Sequence, residues 1–179
     1  FGIGEGAAVV SRDPARVAAV RRYANFGFDG TRDSLVPGTN AKITEYTAAV
    51  GLAALAEWPE KRRVLQALVR HYAEKLGNSA DVSLAPDFAC GSARTTCDVM
   101  FSNKMALDAA RSLEAVGVET RQWWGRGCHA APAYAACPRA ALPVTENLGN
   151  RVLGLPMSLD LTPDEIDRVC GAVNVASSG

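Results

Sequence analysis

Apolar positions recur at helical spacing over residues 60–76, where Val64, Leu65, Leu68, Val69, Tyr72 and Leu76 take one side and Lys61, Arg62, Arg63 and Arg70 the other. Asp13 followed by Pro14 reads as an N-cap with proline at the first helical position. That helix is expected to reach about Ala24, with Val17, Val20 and Ala24 inward and Arg16, Arg21 and Arg22 outward. Residues 48–56 have no polar side, a pattern that predicts a helix buried all round. Trp58-Pro59 is expected to break the chain before the next helix, because the residue preceding a proline avoids the helical region. Gly77 then ends that helix.

Strand-like runs fall at Ala7–Val10, Val82–Leu84, Cys97–Ser102, Val118–Trp123 and Val152–Met157. The first is entered from Gly4-Glu5-Gly6 and is expected to join a sheet begun upstream. Pro156 keeps the last to an edge or a strand end. A helix over Asn103–Val116, capped by Asn103 with Leu107, Ala110 and Leu113 inward, would link two of the runs into a β-α-β unit. Leu142-Pro143 opens a short helix. Thr162-Pro163-Asp164-Glu165 is a capping box for a final helix that buries Ile166, Val169 and Val173. The change in composition after Gly77 divides the chain into 1–77 and a smaller α/β domain at 78–179.

At 179 residues, 48% hydrophobic and 21% charged, the chain is globular. Its 19 Lys and Arg balance its 19 Asp and Glu, so no global charge draws it to nucleic acid or to a membrane. No run reaches the roughly 18 apolar residues of a membrane span, and no signal-peptide pattern opens the sequence. Five cysteines, Cys90, Cys97, Cys128, Cys137 and Cys170, include no Cys-x-x-Cys pair. This argues against a disulfide framework and a zinc site, and for a reducing, cytoplasmic setting. The opening lacks an initiator Met and enters a glycine-rich turn at once, as the C-terminal part of a longer chain would.

Chemistry concentrates in two stretches. Gly38-Thr39-Asn40-Ala41-Lys42-Ile43-Thr44-Glu45 is a polar turn that feeds the apolar helix, with Thr44 placed to cap it. An amide, an ammonium and free backbone N–H groups at a helix N-terminus suit an anion; an ordinary capped helix start is the simpler alternative. Upstream, Asn25-Phe26-Gly27-Phe28 alternates aromatics with glycine, as a loop packed on a partner subunit or on its own domain would. Trp123-Trp124-Gly125-Arg126-Gly127-Cys128-His129-Ala130-Ala131-Pro132-Ala133-Tyr134 is the second stretch, a small-residue loop that positions polar groups. For His129 a functional role and a hydrogen-bonded structural role are equally open. Cys128 has no base partner at a recognised spacing. His71 has no second ligand nearby and reads as a surface residue.

Three groups of motifs, in order, resemble one family. They are Gly4-Glu5-Gly6 before Ala8-Val9-Val10; Asn25-Phe26-Gly27 with Gly38-Thr39-Asn40-Ala41-Lys42; and His129-Ala130-Ala131-Pro132-Ala133-Tyr134 followed by Leu142-Pro143-Val144-Thr145-Glu146 and Leu155-Pro156-Met157. Together they resemble the C-terminal half of the DegT/DnrJ/EryC1/StrS aminotransferases. The resemblance implies an α/β, fold-type I (aspartate aminotransferase-like) architecture. Residues 1–77 would be the C-terminal portion of the large cofactor-binding domain with its connecting helix, and 78–179 the small domain.

It also implies pyridoxal 5'-phosphate as cofactor, a nucleotide-sugar substrate, an amino-acid donor (glutamate), and a homodimer with shared active sites. Asn40 takes the position that reaches the cofactor phosphate of the neighbouring subunit. Lys42 stands where arginine is common and would meet the substrate diphosphate as a point charge. His129 falls at a substrate-contacting position near the sugar or its diphosphate, and Trp123, Trp124 and Tyr134 would flank the nucleotide. Two departures accompany these. Ala7 replaces the fourth residue of the usual Gly-Glu-Gly-Gly. The lysine that forms the internal aldimine is expected just upstream of Phe1, and none of Lys42, Lys61, Lys75 and Lys104 takes its place. No catalytic residue is therefore assigned within this chain, and no metal. A cofactor-dependent sugar dehydratase of the same family and a non-catalytic α/β binding module stand as alternatives.

Overall fold

In a computed structural model, residues 2–123 and 125–178 are described. The chain forms two compact units, Phe1–Pro59 and Glu60–Gly179. The division falls at Pro59, inside a helix, rather than after Gly77.

In the first unit residues 7–10 form no strand and pair with none among the described residues, and Val10 is 91% exposed. The strand expected there lacks a neighbour to hydrogen-bond it. Helix α1 (Pro14–Ala24) starts as its sequence dictates, with the Asp13 carboxylate accepting from the Ala15 N–H at 2.9 Å. Its intended inner face is only partly covered: Val17 and Ala24 are half-buried and Val20 is exposed. The chain then turns sharply. The Phe28 N–H donates to the Asn25 carbonyl at 3.0 Å, and the two residues between, Phe26 and Gly27, have φ of 59° and 80°. Two consecutive positive φ values are the pattern of a type I′ turn.

Residues 39–41 return alongside: Phe26 N–H to Thr39 carbonyl at 3.0 Å, Thr39 N–H to Tyr23 carbonyl at 2.8 Å, and Ala41 N–H to Ala24 carbonyl at 3.0 Å. Backbone meets backbone here with no side chain between. A Cβ on Gly38 would lie 2.3 Å from the Gly27 nitrogen, and one on Gly27 would lie 1.9 Å from the Val36 carbonyl oxygen.

Helix α2 (Glu45–Leu76) begins with Thr44 as cap, its Oγ1 accepting from the Thr47 N–H at 3.1 Å. It runs through Pro59 without the expected break. Proline removes one donor and crowds the carbonyl four residues back. That carbonyl belongs to Leu55, on an exposed part of the helix. The apolar stretch 48–56 is likewise not buried all round: Ala54 is buried, while Leu52 is 69% and Leu55 51% exposed. Ala48, Val50 and Gly51 are half-buried, with the Ile3 side chain beside Gly51, and the rest of this apolar surface is open.

The second unit has a continuous core. The C-terminal half of α2 buries Leu65, Leu68, Val69, Tyr72 and Leu76 at the expected spacing. Three antiparallel strands, β1 (Val82–Leu84), β2 (Cys97–Phe101) and β3 (Val152–Leu155), lie in that order. Leu84 pairs with Val99, and Val99 with Leu153. Cys97, Val99 and Phe101 are fully buried on one face, and burial pushes the Cys97 thiol well above its ordinary value. Helix α3 (Ala106–Glu114) follows β2, then a short helix α4 (Pro143–Gly149) and, after β3, α5 (Pro163–Ser178). The capping box of α5 forms in both directions: Thr162 N–H to the Glu165 carboxylate at 2.8 Å, and Glu165 N–H to Thr162 Oγ1 at 3.3 Å.

Two expectations fail around α3. It begins at Ala106, not Asn103, because the Ala106 N–H goes to the Asn150 carbonyl at 2.8 Å and needs no side-chain cap. The later start turns Ala106, Ala109 and Leu113 inward and leaves Leu107 53% exposed. Residues 118–123 are not a strand. They meet β3 only at the Arg121–Gly154 bridge, so the β-α-β unit is absent and the sheet is antiparallel throughout.

Polar ties close the core. The buried Tyr72 hydroxyl donates to the Pro156 carbonyl at 2.8 Å, and desolvation raises its phenol far above the ordinary value. His71 is not a free surface residue: its Nε2 lies 2.7 Å from the Asp167 carboxylate, which Lys75 also meets at 2.9 Å. Among the described residues no helix is long and apolar enough to cross a membrane.

Two outcomes follow from this packing. Gly38→Ala forces the crossing of residues 23–27 and 36–41 apart at a cost of roughly 1–3 kcal/mol. The Phe26, Thr39 and Ala41 amides should then exchange hydrogen about 10- to 100-fold faster; unchanged exchange would show that the crossing is loose. In the second unit the Asp167 carboxyl is held below the usual range, first by the Lys75 hydrogen bond and then by that of His71. A depressed folded pKa stabilises above the unfolded value of about 3.9 and loses that contribution as pH falls through the folded value. Asp167→Asn should lower stability at neutral pH and flatten its acid loss below pH ~4. Parallel acid curves for the two proteins would rule this out.

Candidate functional site

The four side chains singled out in the sequence fall in two groups. Asn40 and Lys42 belong to the first unit, His129 and Tyr134 to the second.

In the first group the strained turn sets the geometry. A non-glycine residue at φ 59° costs about 1–2 kcal/mol, and the result at Phe26 is a ring turned under a cation. The Lys42 Nζ lies 4.6 Å from the ring centroid and donates to the Asn25 Oδ1 at 2.9 Å. Among the described residues no carboxylate lies within ion-pair distance of Lys42. Its positive charge is therefore held by a neutral amide and a ring face, and is not neutralised. Asn40 bridges Asn25 through the backbone, and its side-chain amide has no partner among the described residues. The unpartnered amide and the un-neutralised ammonium thus stand two residues apart on one short segment. The helix N-terminus itself contributes less than expected. Thr44 already caps Thr47, and Glu45 places a carboxylate in the first turn of α2, where it takes up the favourable end of the helix dipole.

The second group is mounted on α4. Gly149 lets the loop settle on the helix end, where a Cβ would lie 2.7 Å from the Gly125 carbonyl oxygen and 3.0 Å from Arg126 Cα. Gly127, at φ 88°, has no room for a side chain: a Cβ there would be 2.9 Å from both His129 Nδ1 and Thr145 Cγ2. The chain next makes two single turns of 3-10 helix, Cys128–Ala130 and Pro132–Tyr134. The His129 side chain is only 13% exposed, with Nε2 3.6 Å from the Glu146 carboxylate. Tyr134 is 52% exposed. Trp123, 55% exposed, lays its indole against Gly154, where a Cβ would meet Nε1 at 2.5 Å. Trp124 lies outside the described residues. Beside this loop, on the sheet face away from the core, is a cavity of about 750 Å³ lined by Met100, Leu148, Val152, Gly127, Thr145 and Asp98. One Asp98 carboxylate oxygen is buried without a partner.

Sequence reading missed Asn25, Phe26 and Glu146 as members of these groups. Phe26 and Asn25 sat in the Asn-Phe-Gly motif, but their link to Lys42 spans 17 positions for Asn25 and follows from the crossing alone. Glu146 lay inside a quoted motif with nothing in the sequence to tie it to His129.

The sequence profile of the DegT/DnrJ/EryC1/StrS aminotransferase family matches residues 1–174. The erythromycin biosynthesis sensory transduction protein EryC1 of Saccharopolyspora erythraea is 30% identical over 98% of this chain and 48% of its own length. The dTDP-3-amino-3,4,6-trideoxy-alpha-D-glucose transaminase of Streptomyces venezuelae is 31% identical over 95% of this chain and 45% of its own. The crystal structure of DesI in the presence of its TDP-sugar product superposes with a TM-score of 0.80 at 32% identity, over 94% of this chain and 44% of that one. The chain thus spans less than half the length of each of these relatives. The architecture is that of the C-terminal part of a fold-type I enzyme, as expected from the motifs. On the profile match across almost its whole length, the chain belongs to the DegT/DnrJ/EryC1/StrS aminotransferase family.

Proposed function

We propose that this chain is part of a pyridoxal phosphate-dependent aminotransferase that moves an amino group from an amino acid, glutamate, to a keto group of a nucleotide-diphosphate-linked deoxysugar. The observation that carries the reading is the unneutralised Lys42 ammonium beside the free Asn40 amide. Family membership supports it, as do one relative named as the transaminase of a dTDP-linked amino sugar and another whose structure was solved in the presence of its TDP-sugar product.

The residues present fit the phosphate end of the cofactor. Asn40 offers a neutral donor without a competing partner, as a phosphate held across a homodimer interface would need. When bound, the cofactor provides the carbonyl carbon and electron sink through which an amino group passes. This chain's residues hold and orient. Lys42, propped on Phe26 and Asn25, meets the diphosphate as a point charge whose full attraction is kept because no carboxylate shares it. His129 meets the sugar end of the substrate, and Tyr134 flanks the nucleotide with an exposed ring. The proton-transferring lysine belongs outside residues 1–179. The protein would work in the cytoplasm, where its substrates and reducing conditions coincide.

Borohydride reduction of the full-length protein, followed by peptide mapping, should place a pyridoxyl group on a lysine preceding Phe1. A colourless full-length protein with no adduct would leave a binding module. In that protein Lys42→Ala should raise the KM for the nucleotide sugar about 10-fold or more and leave kcat within about twofold, because it removes ground-state and transition-state attraction alike. A fall in kcat at constant KM would assign Lys42 to the chemistry instead.

A further inference from the structure

Glu146 is outside the roles assigned above, yet α4 presents it to the one half-sequestered imidazole of the candidate loop. Thr145, Glu146 and Gly149 occupy neighbouring positions on this helix, and each meets the loop. Gly149 receives Gly125 and Arg126, Thr145 packs its methyl against the space above Gly127, and Glu146 faces His129. The helix is itself anchored: the Glu146 N–H donates to the Leu142 carbonyl at 3.0 Å, and the Glu146 carbonyl accepts from the Asn150 amide at 3.1 Å. The ring is therefore clamped between a backbone that tolerates no Cβ and a carboxylate 3.6 Å from Nε2.

We infer that Glu146 is the positioning residue of His129, holding the Nε2 edge so that Nδ1 is the nitrogen offered to substrate. The inference rests on the reading of His129 as a substrate contact. At 3.6 Å the carboxylate is beyond hydrogen-bond range but close enough to favour the ring form with hydrogen on Nε2. In the neutral ring Nδ1 is then a bare acceptor, and it has no partner among the described residues. It lies against the space left by the missing Gly127 side chain, and Gly127 and Thr145 both line the adjoining cavity. A bare acceptor selects a donor. His129 so held reads a hydroxyl of the sugar, and the diphosphate is left to Lys42.

The full-length protein tests this with Glu146→Gln, which keeps an acceptor at the same place, and Glu146→Leu, which does not. The imidazole nitrogen resonances of His129, identified by their loss in His129→Gln, should report hydrogen on Nε2 in the parent and in Glu146→Gln. In Glu146→Leu that preference should disappear. The KM for the nucleotide sugar should rise about 5- to 50-fold in Glu146→Leu and by less in Glu146→Gln, at constant kcat. Inhibition by dTDP, which carries the diphosphate and no sugar hydroxyls beyond the nucleoside, should be unchanged in both. Nitrogen resonances in Glu146→Leu identical to the parent's, with α4 intact by its methyl resonances, would overturn the inference. Equal weakening of dTDP and nucleotide sugar would overturn the assignment to a hydroxyl. A lost tautomer preference with unaltered KM would uphold the hold of Glu146 on the ring while removing His129 from the substrate site of the proposed function.

Discussion

Backbone approaching backbone, with no side chain between, is the constraint on which both candidate groups depend. At Gly38 and Gly27 two chain segments cross so closely that a single methyl would strike a main-chain atom. At Gly149 a loop is pressed onto α4 in the same way, and at Gly127 the missing side chain makes room for those of His129 and Thr145. Side-chain packing would have kept these segments further apart, because even alanine carries its Cβ into the contact. The glycines give up that side chain, and the segments gain fixed separations. Lys42 over Phe26 and His129 facing Glu146 are consequences of where those crossings hold the chain.

A second constraint is the allocation of apolar surface. In the Glu60–Gly179 unit, α2 lines the core with five buried apolar side chains, and the antiparallel sheet and α5 complete it. Leu65, Leu68 and Tyr72 each recur on one face, so the helix has a definite inside. Residues 48–56 of the same helix are apolar all round and only partly covered, with Ala54 buried and Leu52 and Leu55 exposed. Hydrophobic periodicity distinguishes these halves clearly; it cannot say where the second half finds its cover.

The same distinction explains what was legible in the sequence. The Asp13 cap, the Thr162–Glu165 capping box, the strands near residues 82–84, 97–101 and 152–155 and the inward face of α2 are local or strictly periodic, and these are seen. Misreadings arose where a distant atom replaced a local one. Asn150, 44 positions from Ala106 by their numbers, takes the donor that Asn103 would have capped; Leu113 is inward as expected, while Ala106 and Ala109 take the place of Leu107. Pro59 was read as a break, yet α2 runs through it, with the carbonyl it orphans on an exposed part of the helix. For the candidate groups, the chemistry-bearing types were visible in Asn40, Lys42, His129 and Tyr134. Their supports, Asn25, Phe26 and Glu146, were not, since a support is defined by contact.

Two lysines show what such supports do to a charge. Lys75 meets the Asp167 carboxylate at 2.9 Å, and its pKa is raised chiefly by that hydrogen bond. Its charge is spent inside the protein, tying α2 to α5. Lys42 is held as firmly in direction, by Asn25 and by the face of Phe26, but by groups that carry no net charge. An amide dipole and an aromatic quadrupole orient a cation without cancelling its field beyond the first contact. The strain at Phe26 follows from the same requirement. Only a residue with a ring in the positive-φ position of that turn can lie beneath Lys42, where glycine would relax the backbone and leave the ammonium unsupported. A strained turn, a neutral amide and an unpaired lysine together keep a cation available to an anion from outside the chain.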